Sequence, residues 1–134
     1  MIYLLDSSAL LAFYFGEPGG DRVRELLGDE ENDIRLSVLT MAEFWSRLRA
    51  EGAADVFDEE WRQLSNMMTA LDPVTTEVVA RSLDLRASAT GRLPQIDALI
   101  AATAALHGAL LVHRDPHFLT IPSHLLRQES LPDK

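Results

Sequence analysis

The chain of 134 residues contains no cysteine, which excludes both a disulfide framework and a thiolate metal site. Positive charge is scarce as well. Twelve basic residues face 21 acidic ones, for a net charge of −9. Gripping nucleic acid over a broad basic surface draws its free energy from neutralising phosphates, so the charge argues against that mode of binding. An enzyme that meets its substrate through a bound cation is compatible with this charge, and so is a protein with a basic partner. Lysine is nearly absent. Every basic residue except Lys134 is arginine, the side chain that holds phosphate or carboxylate through two parallel hydrogen bonds. The opening run Met1-Ile2-Tyr3-Leu4-Leu5-Asp6 has no basic leader and is far too short for a signal peptide or a membrane span. The expectation is a cytoplasmic protein with no membrane association.

What is present reads as one globular domain. Apolar residues make up 47% and charged residues 25%, a balance that builds one core at this length. Ile2–Leu5 is an apolar run without alternation, as in a strand buried on both faces. Asp6-Ser7-Ser8 stops it, and Ala9–Phe15 reads as a short helix. A loop at 16–20 leads to a helix over Asp21–Leu27, then to a second strand over Ile34–Leu39. Thr40 is expected to cap a helix carrying Met41, Phe44, Trp45 and Leu48 at helical spacing. Beyond Gly52 another amphipathic helix presents Phe57, Trp61, Leu64 and Met68.

Leu71–Val74 is a weak strand with a proline at its end, and Thr75–Ala87 is helical. Pro94 suits the first position of the next helix, which runs to His107 and stops at Gly108. Ala109–Val112 is the last expected strand. From Glu129 the chain reads as a polar, loose tail, which sets the expected domain at 1–128 and the tail at 129–134. Strands alternating with helices indicate an α/β class, a three-layer α/β/α domain around a mostly parallel sheet.

In such a sheet the ligand site lies outside the carboxyl ends of the strands. Asp6, Glu43 and Asp115 each follow a strand. Asp97 stands at the start of a helix that turns tightly at Gly108 into the last strand, so it belongs to the same edge. Each acid has a separate structural explanation. Asp6 caps a helix, Glu43 closes a capping box with Thr40, Asp97 complements a helix dipole, and Asp115-Pro116 makes a turn. Together they are harder to explain away. Two unit charges ~5 Å apart repel by roughly 3 kcal/mol at an effective dielectric of about 20. Four acids at one edge therefore call for a compensating cation, and oxygen ligands favour a hard ion such as Mg²⁺ or Mn²⁺.

Asp6-Ser7-Ser8-Ala9-Leu10 and Leu36–Glu43 resemble the opening of a PIN domain of the VapC type. Pro94–Ala104, followed by Gly108 and Leu111, is similar to that family's most recognisable segment. Val112–Phe118 stands where its final motif falls, and Ile121-Pro122 follows. The resemblance covers nearly the whole chain. It implies a Mg²⁺-dependent ribonuclease, with Mn²⁺ as a substitute, in which Asp6, Glu43 and Asp97 are the core metal ligands and Asp115 completes the cluster. All four are then catalytic as well as metal-binding. Two positions depart from the family pattern. His113 stands where a threonine or serine is usual, and His117 where an acid is common. Either histidine is able in principle to bind a softer metal.

Arg92, Arg114 and Ser8 are candidates for contact with RNA phosphates. The resemblance further implies a toxin of a toxin–antitoxin pair, a cognate antitoxin seated in an apolar groove, and a homodimer. Trp45, Phe57, Trp61, Met67 and Met68 are the candidate groove residues. A housekeeping RNA-processing nuclease and an inactive binding module are the alternatives. A phosphotransferase or receiver domain built on Asp6 is set aside, because Ser8 replaces the second acid that the former needs and no lysine falls late in the sheet.

Overall fold

Ile2-Tyr3-Leu4-Leu5 forms the central strand, because only there can a continuous apolar run be buried from both sides. The computed structural model describes residues 1–133. Its strands are β1 (Ile2–Leu5), β2 (Asp33–Ser37), β3 (Ala70–Asp72), β4 (Leu110–His113) and β5 (Gln128–Ser130). They make one sheet in the order β3-β2-β1-β4-β5, with every neighbouring pair parallel. Tyr3 stands beside Ile34 on one side and Leu110 on the other.

The helices are α1 (Ser7–Tyr14), α2 (Gly20–Leu27), α3 (Leu39–Ala50), α4 (Phe57–Met67), α5 (Thr76–Ser88) and α6 (Gln95–Leu106). They form the two outer layers. Leu4 and Leu111 face the layer of α5 and α6, where Leu85, Ile100, Ala101 and Phe118 fill the core. Leu5, Val112, Ile34 and Leu36 face the other layer, against Leu10, Val23, Phe44, Leu48 and Trp61. The three-layer expectation is met. No helix among the described residues is long and apolar enough to cross a membrane.

Several expected boundaries shift, each for a local reason. Helix α1 begins at Ser7, two residues early, because Asp6 caps it by accepting from the Ser8 amide. Strand β2 ends at Ser37, whose hydroxyl accepts from the Leu39 amide. The capping role expected of Thr40 is therefore absent, and Thr40 is a fully buried residue inside α3. Pro94 caps α6 from outside it, while Gly108 ends that helix at φ +61 as expected.

The loose tail is corrected more substantially. Gln128–Ser130 is a fifth strand paired with β4, Glu129 is held by Arg22 at 2.9 Å, and Leu131 is buried. A polar edge strand needs no apolar pattern when only its backbone is paired, which is why this one was invisible in composition.

Candidate metal centre

The chain leaves β1 for one side of the sheet, then returns to place β4 on β1's other side. The carboxyl ends of those two strands therefore flank a crevice at the topological switch point. Asp6 ends β1, and its amide donates to the Val112 carbonyl of β4 at 2.9 Å. Asp115 follows β4 and caps a short 3-10 helix, Pro116–Thr120. Glu43 lies in the second turn of α3 and Asp97 in the first turn of α6. The four expected acids meet at this edge.

Their proximity is written in their protonation. Burial raises the Asp6 carboxyl above its ordinary value, although the Ser8 hydroxyl, the Ser8 and Ser7 amides and the nearby His113 imidazole oppose the rise. Burial also raises Glu43, helped by the negative charges of Asp6 and Asp115 and opposed by the Ser7 hydroxyl. Asp97 is pushed up to about 7, first by burial and then by Asp115, Asp6 and Glu43, with His117 acting in the opposite direction. Glu43 and Asp97 both feel the neighbouring acids, as crowded like charges must.

Hydroxyl groups and backbone fix the cluster. The Ser8 hydroxyl donates to Asp6 Oδ2 at 2.6 Å and accepts from the Arg114 amide at 3.0 Å, tying the end of β1 to the segment after β4. It is engaged in holding Asp6. Ser7 donates to Thr40 at 3.3 Å, joining α1 to α3. Arg114 is engaged within the fold as well. Its side chain is only 6% exposed and bonds the Glu17 carboxylate and the Pro18 carbonyl. Arg92 is exposed and keeps its candidacy.

The two histidines differ from one another. His113 is fully buried. Its Nδ1 accepts from the Asp115 amide at 3.1 Å, while Nε2 meets Gln128 Oε1 at 2.8 Å. Gln128 in turn donates to the Phe118 carbonyl. With Nδ1 an acceptor, the proton sits on Nε2. His113 thus orients the loop that carries Asp115. His117 instead lies among the acids, with Nδ1 2.9 Å from Asp115 Oδ1 and 3.6 Å from Asp97 Oδ2. Ser7, Thr40, Gln128 and Glu17 are supporting residues that sequence reasoning missed. The Ser-Ser pair after Asp6 was the one local signal for any of them.

The arrangement fits a divalent cation. Glu43 Oε1 is buried with no hydrogen-bond partner, and the Asp97, Asp115 and His117 ligand atoms lie within 4.8 Å of one another. Beside the acids opens a cleft of about 320 Å³ lined by Leu39, Ala42, Glu43, Ser46 and Ile96. The expected apolar groove is different in detail. Trp61 is buried in the core and Phe57 and Met68 pack partly buried against it, with Phe57 stacked on Trp61, so only Trp45 and Met67 of the five are exposed. The indole and phenyl rings are large enough to be drawn in whenever a helix pair closes over the sheet.

Comparison with known proteins follows the same lines. The family model for the PIN domain matches residues 3–123. No curated protein sequence matches. Among solved structures, VapBC2 from Rickettsia felis, bound to a DNA fragment from its promoter, is similar with a TM-score of 0.78 and 19% identity, over 98% of this chain and 100% of that one. FitAcB from Neisseria gonorrhoeae gives 0.73 and 24%, over 96% and 97%. VapBC-5 from Mycobacterium tuberculosis, a member of the VapBC family of toxin-antitoxin systems, gives 0.68 and 19%, over 98% of each chain. These likenesses establish a shared fold.

Proposed function

This chain belongs to the PIN domain family, and from that premise we propose that it is a metal-dependent endoribonuclease, the toxin of a toxin–antitoxin pair. The observation that carries the nuclease is the gathering of Asp6, Glu43, Asp97 and Asp115, where the charges of Asp6 and Asp115 raise the proton affinity of Glu43 and the other three acids raise that of Asp97. Such a cluster is costly unless a cation neutralises it. Asp6, Asp97, Glu43 and Asp115 would hold Mg²⁺, or Mn²⁺ in its place. When bound, the ion supplies Lewis acidity toward a phosphodiester and lowers the pKa of a water.

The residues have separate parts. Asp6 is fixed by Ser8 and anchors the centre. Glu43, which lines the cleft and has one buried oxygen unpartnered, is a candidate among the acids to take the proton of an attacking water. Arg92, exposed beside the start of α6, is a candidate for a substrate phosphate. Neither Ser7 nor Ser8 is poised as a covalent nucleophile, because they are held by Thr40 and Asp6.

The toxin assignment rests on the fold shared with VapBC and FitAcB complexes. An antitoxin segment with apolar side chains suits the cleft of Leu39, Ala42 and Ile96, and a basic side chain on it would reach Glu43. A homodimer goes with the same reading. The test is cleavage of a labelled RNA pool by purified protein with Mg²⁺, Mn²⁺ or EDTA. Cutting that needs metal and is abolished in Asp6→Asn and Asp97→Asn is expected. Cutting that survives EDTA or either substitution would overturn the assignment.

A further inference from the structure

His117 has no role in the reading above, yet its ring is aimed at the acids. The Nδ1 atom lies 2.9 Å from Asp115 Oδ1 and 3.6 Å from Asp97 Oδ2. Despite those distances it is shielded from solvent and makes no aligned hydrogen bond with either carboxylate. A buried ring nitrogen without a partner is uncommon and calls for an explanation. The backbone explains why the ring is there. The His117 amide donates to Asp115 Oδ1 at 2.9 Å, and this turn fixes the imidazole over the cluster.

We infer that His117 supplies, through Nδ1, a nitrogen ligand to the divalent ion shared by Asp97 and Asp115, so that the centre favours a first-row transition ion such as Mn²⁺ over Mg²⁺. The inference rests on the metal centre proposed above. Two ligand atoms about 2.1 Å from one ion stand at most about 4.2 Å apart, and both measured separations from Nδ1 fall inside that limit. Imidazole suits transition ions, whereas Mg²⁺ is served by oxygen and water. His113 cannot take this part. It is fully buried, and both its nitrogens are engaged by Gln128 and the Asp115 amide. The two histidines of the same segment thus divide the work, one holding the loop and the other meeting the ion.

The test uses the full chain, stripped of metal and titrated with Mn²⁺ while the free-ion electron paramagnetic resonance signal is followed. Electron spin echo modulation of the bound ion reports a directly coordinated nitrogen. The wild type should show that modulation. His117→Asp, which restores an all-oxygen donor set, should bind Mn²⁺ without it, and Mg²⁺ should compete roughly tenfold more effectively. A melting curve checks that the variant is folded. Bound Mn²⁺ with no nitrogen modulation in the wild type would overturn the role of His117 and leave the metal centre standing. Unchanged modulation and competition in His117→Asp would do the same. Failure of the wild type to bind Mn²⁺ at all would overturn the metal centre, and the ligand with it.

Discussion

Asp97 shows how a single side chain carries the tension of the centre. Its carboxyl is raised from 3.8 to about 7 in the folded protein, so in the absence of metal the native state holds a proton there that the unfolded chain gives up near pH 4. The native state therefore binds the extra proton between these values, and stability falls as pH rises from about 4 to 7. Above about 7 this loss is complete. Asp97→Asn removes the titration. With EDTA present, the variant should be more stable than wild type at pH 8 by about 2 kcal/mol, after allowance for partial solvent screening. Urea denaturation at pH 5 and pH 8 measures it, and parallel pH slopes in the two proteins would refute the account. A substitution proposed to abolish cutting is thus expected to strengthen the fold, as strained sites commonly behave.

Among the elements, β5 is the one whose removal reaches furthest. It pairs with β4 and is pinned by Arg22 through Glu129. Leu131, just beyond it, packs against Gly19, where an added Cβ would lie 3.0 Å from Leu131 Cβ. Leu131→Ala should cost about 2–3 kcal/mol by opening a cavity, read as a lower denaturation midpoint. It should also weaken metal binding, because Gln128 holds His113 and His113 holds the Asp115 loop. A variant that loses stability yet binds metal as before would uncouple the strand from the site.

Strands β1 and β4 were legible because burial on both faces demands Ile2–Leu5 and Leu110–Val112 as unbroken apolar runs. Helix α6 was legible because Pro94 and Gly108 bracket it. Strand β5 was not, since Gln128-Glu129-Ser130 carries no apolar signal and owes its place to backbone pairing. Nor was the engagement of Arg114, whose partner Glu17 lies 97 residues earlier. The acids were legible as a group because each follows from its position in the topology. The small residues that orient them depend on contacts such as Ser7 with Thr40, which no local pattern encodes.

For the molecule as a whole, with a net charge of −9, a divalent cation held at the proposed centre should add to the stability of the fold. A ligand that binds only the native state stabilises it by about 2.7 kcal/mol at a hundred times its dissociation constant. Saturating Mn²⁺ should therefore raise the melting temperature, and the increment should largely vanish in Asp6→Asn. Scanning calorimetry with and without the ion makes the comparison. An equal rise in both proteins would mean that the ion acts on surface charge in general.

The buried link from Gln128 through His113 to the Asp115 amide also sets an order in time. A chain is made from its N-terminus, so Asp6, Glu43 and Asp97 leave the ribosome well before Gln128 does. Until the segment holding Gln128 emerges and docks beside β4, the loop carrying Asp115 lacks its anchor. The centre is thus completed only by residues made after its acids, and a nascent chain holds an unfinished site until Gln128 has docked.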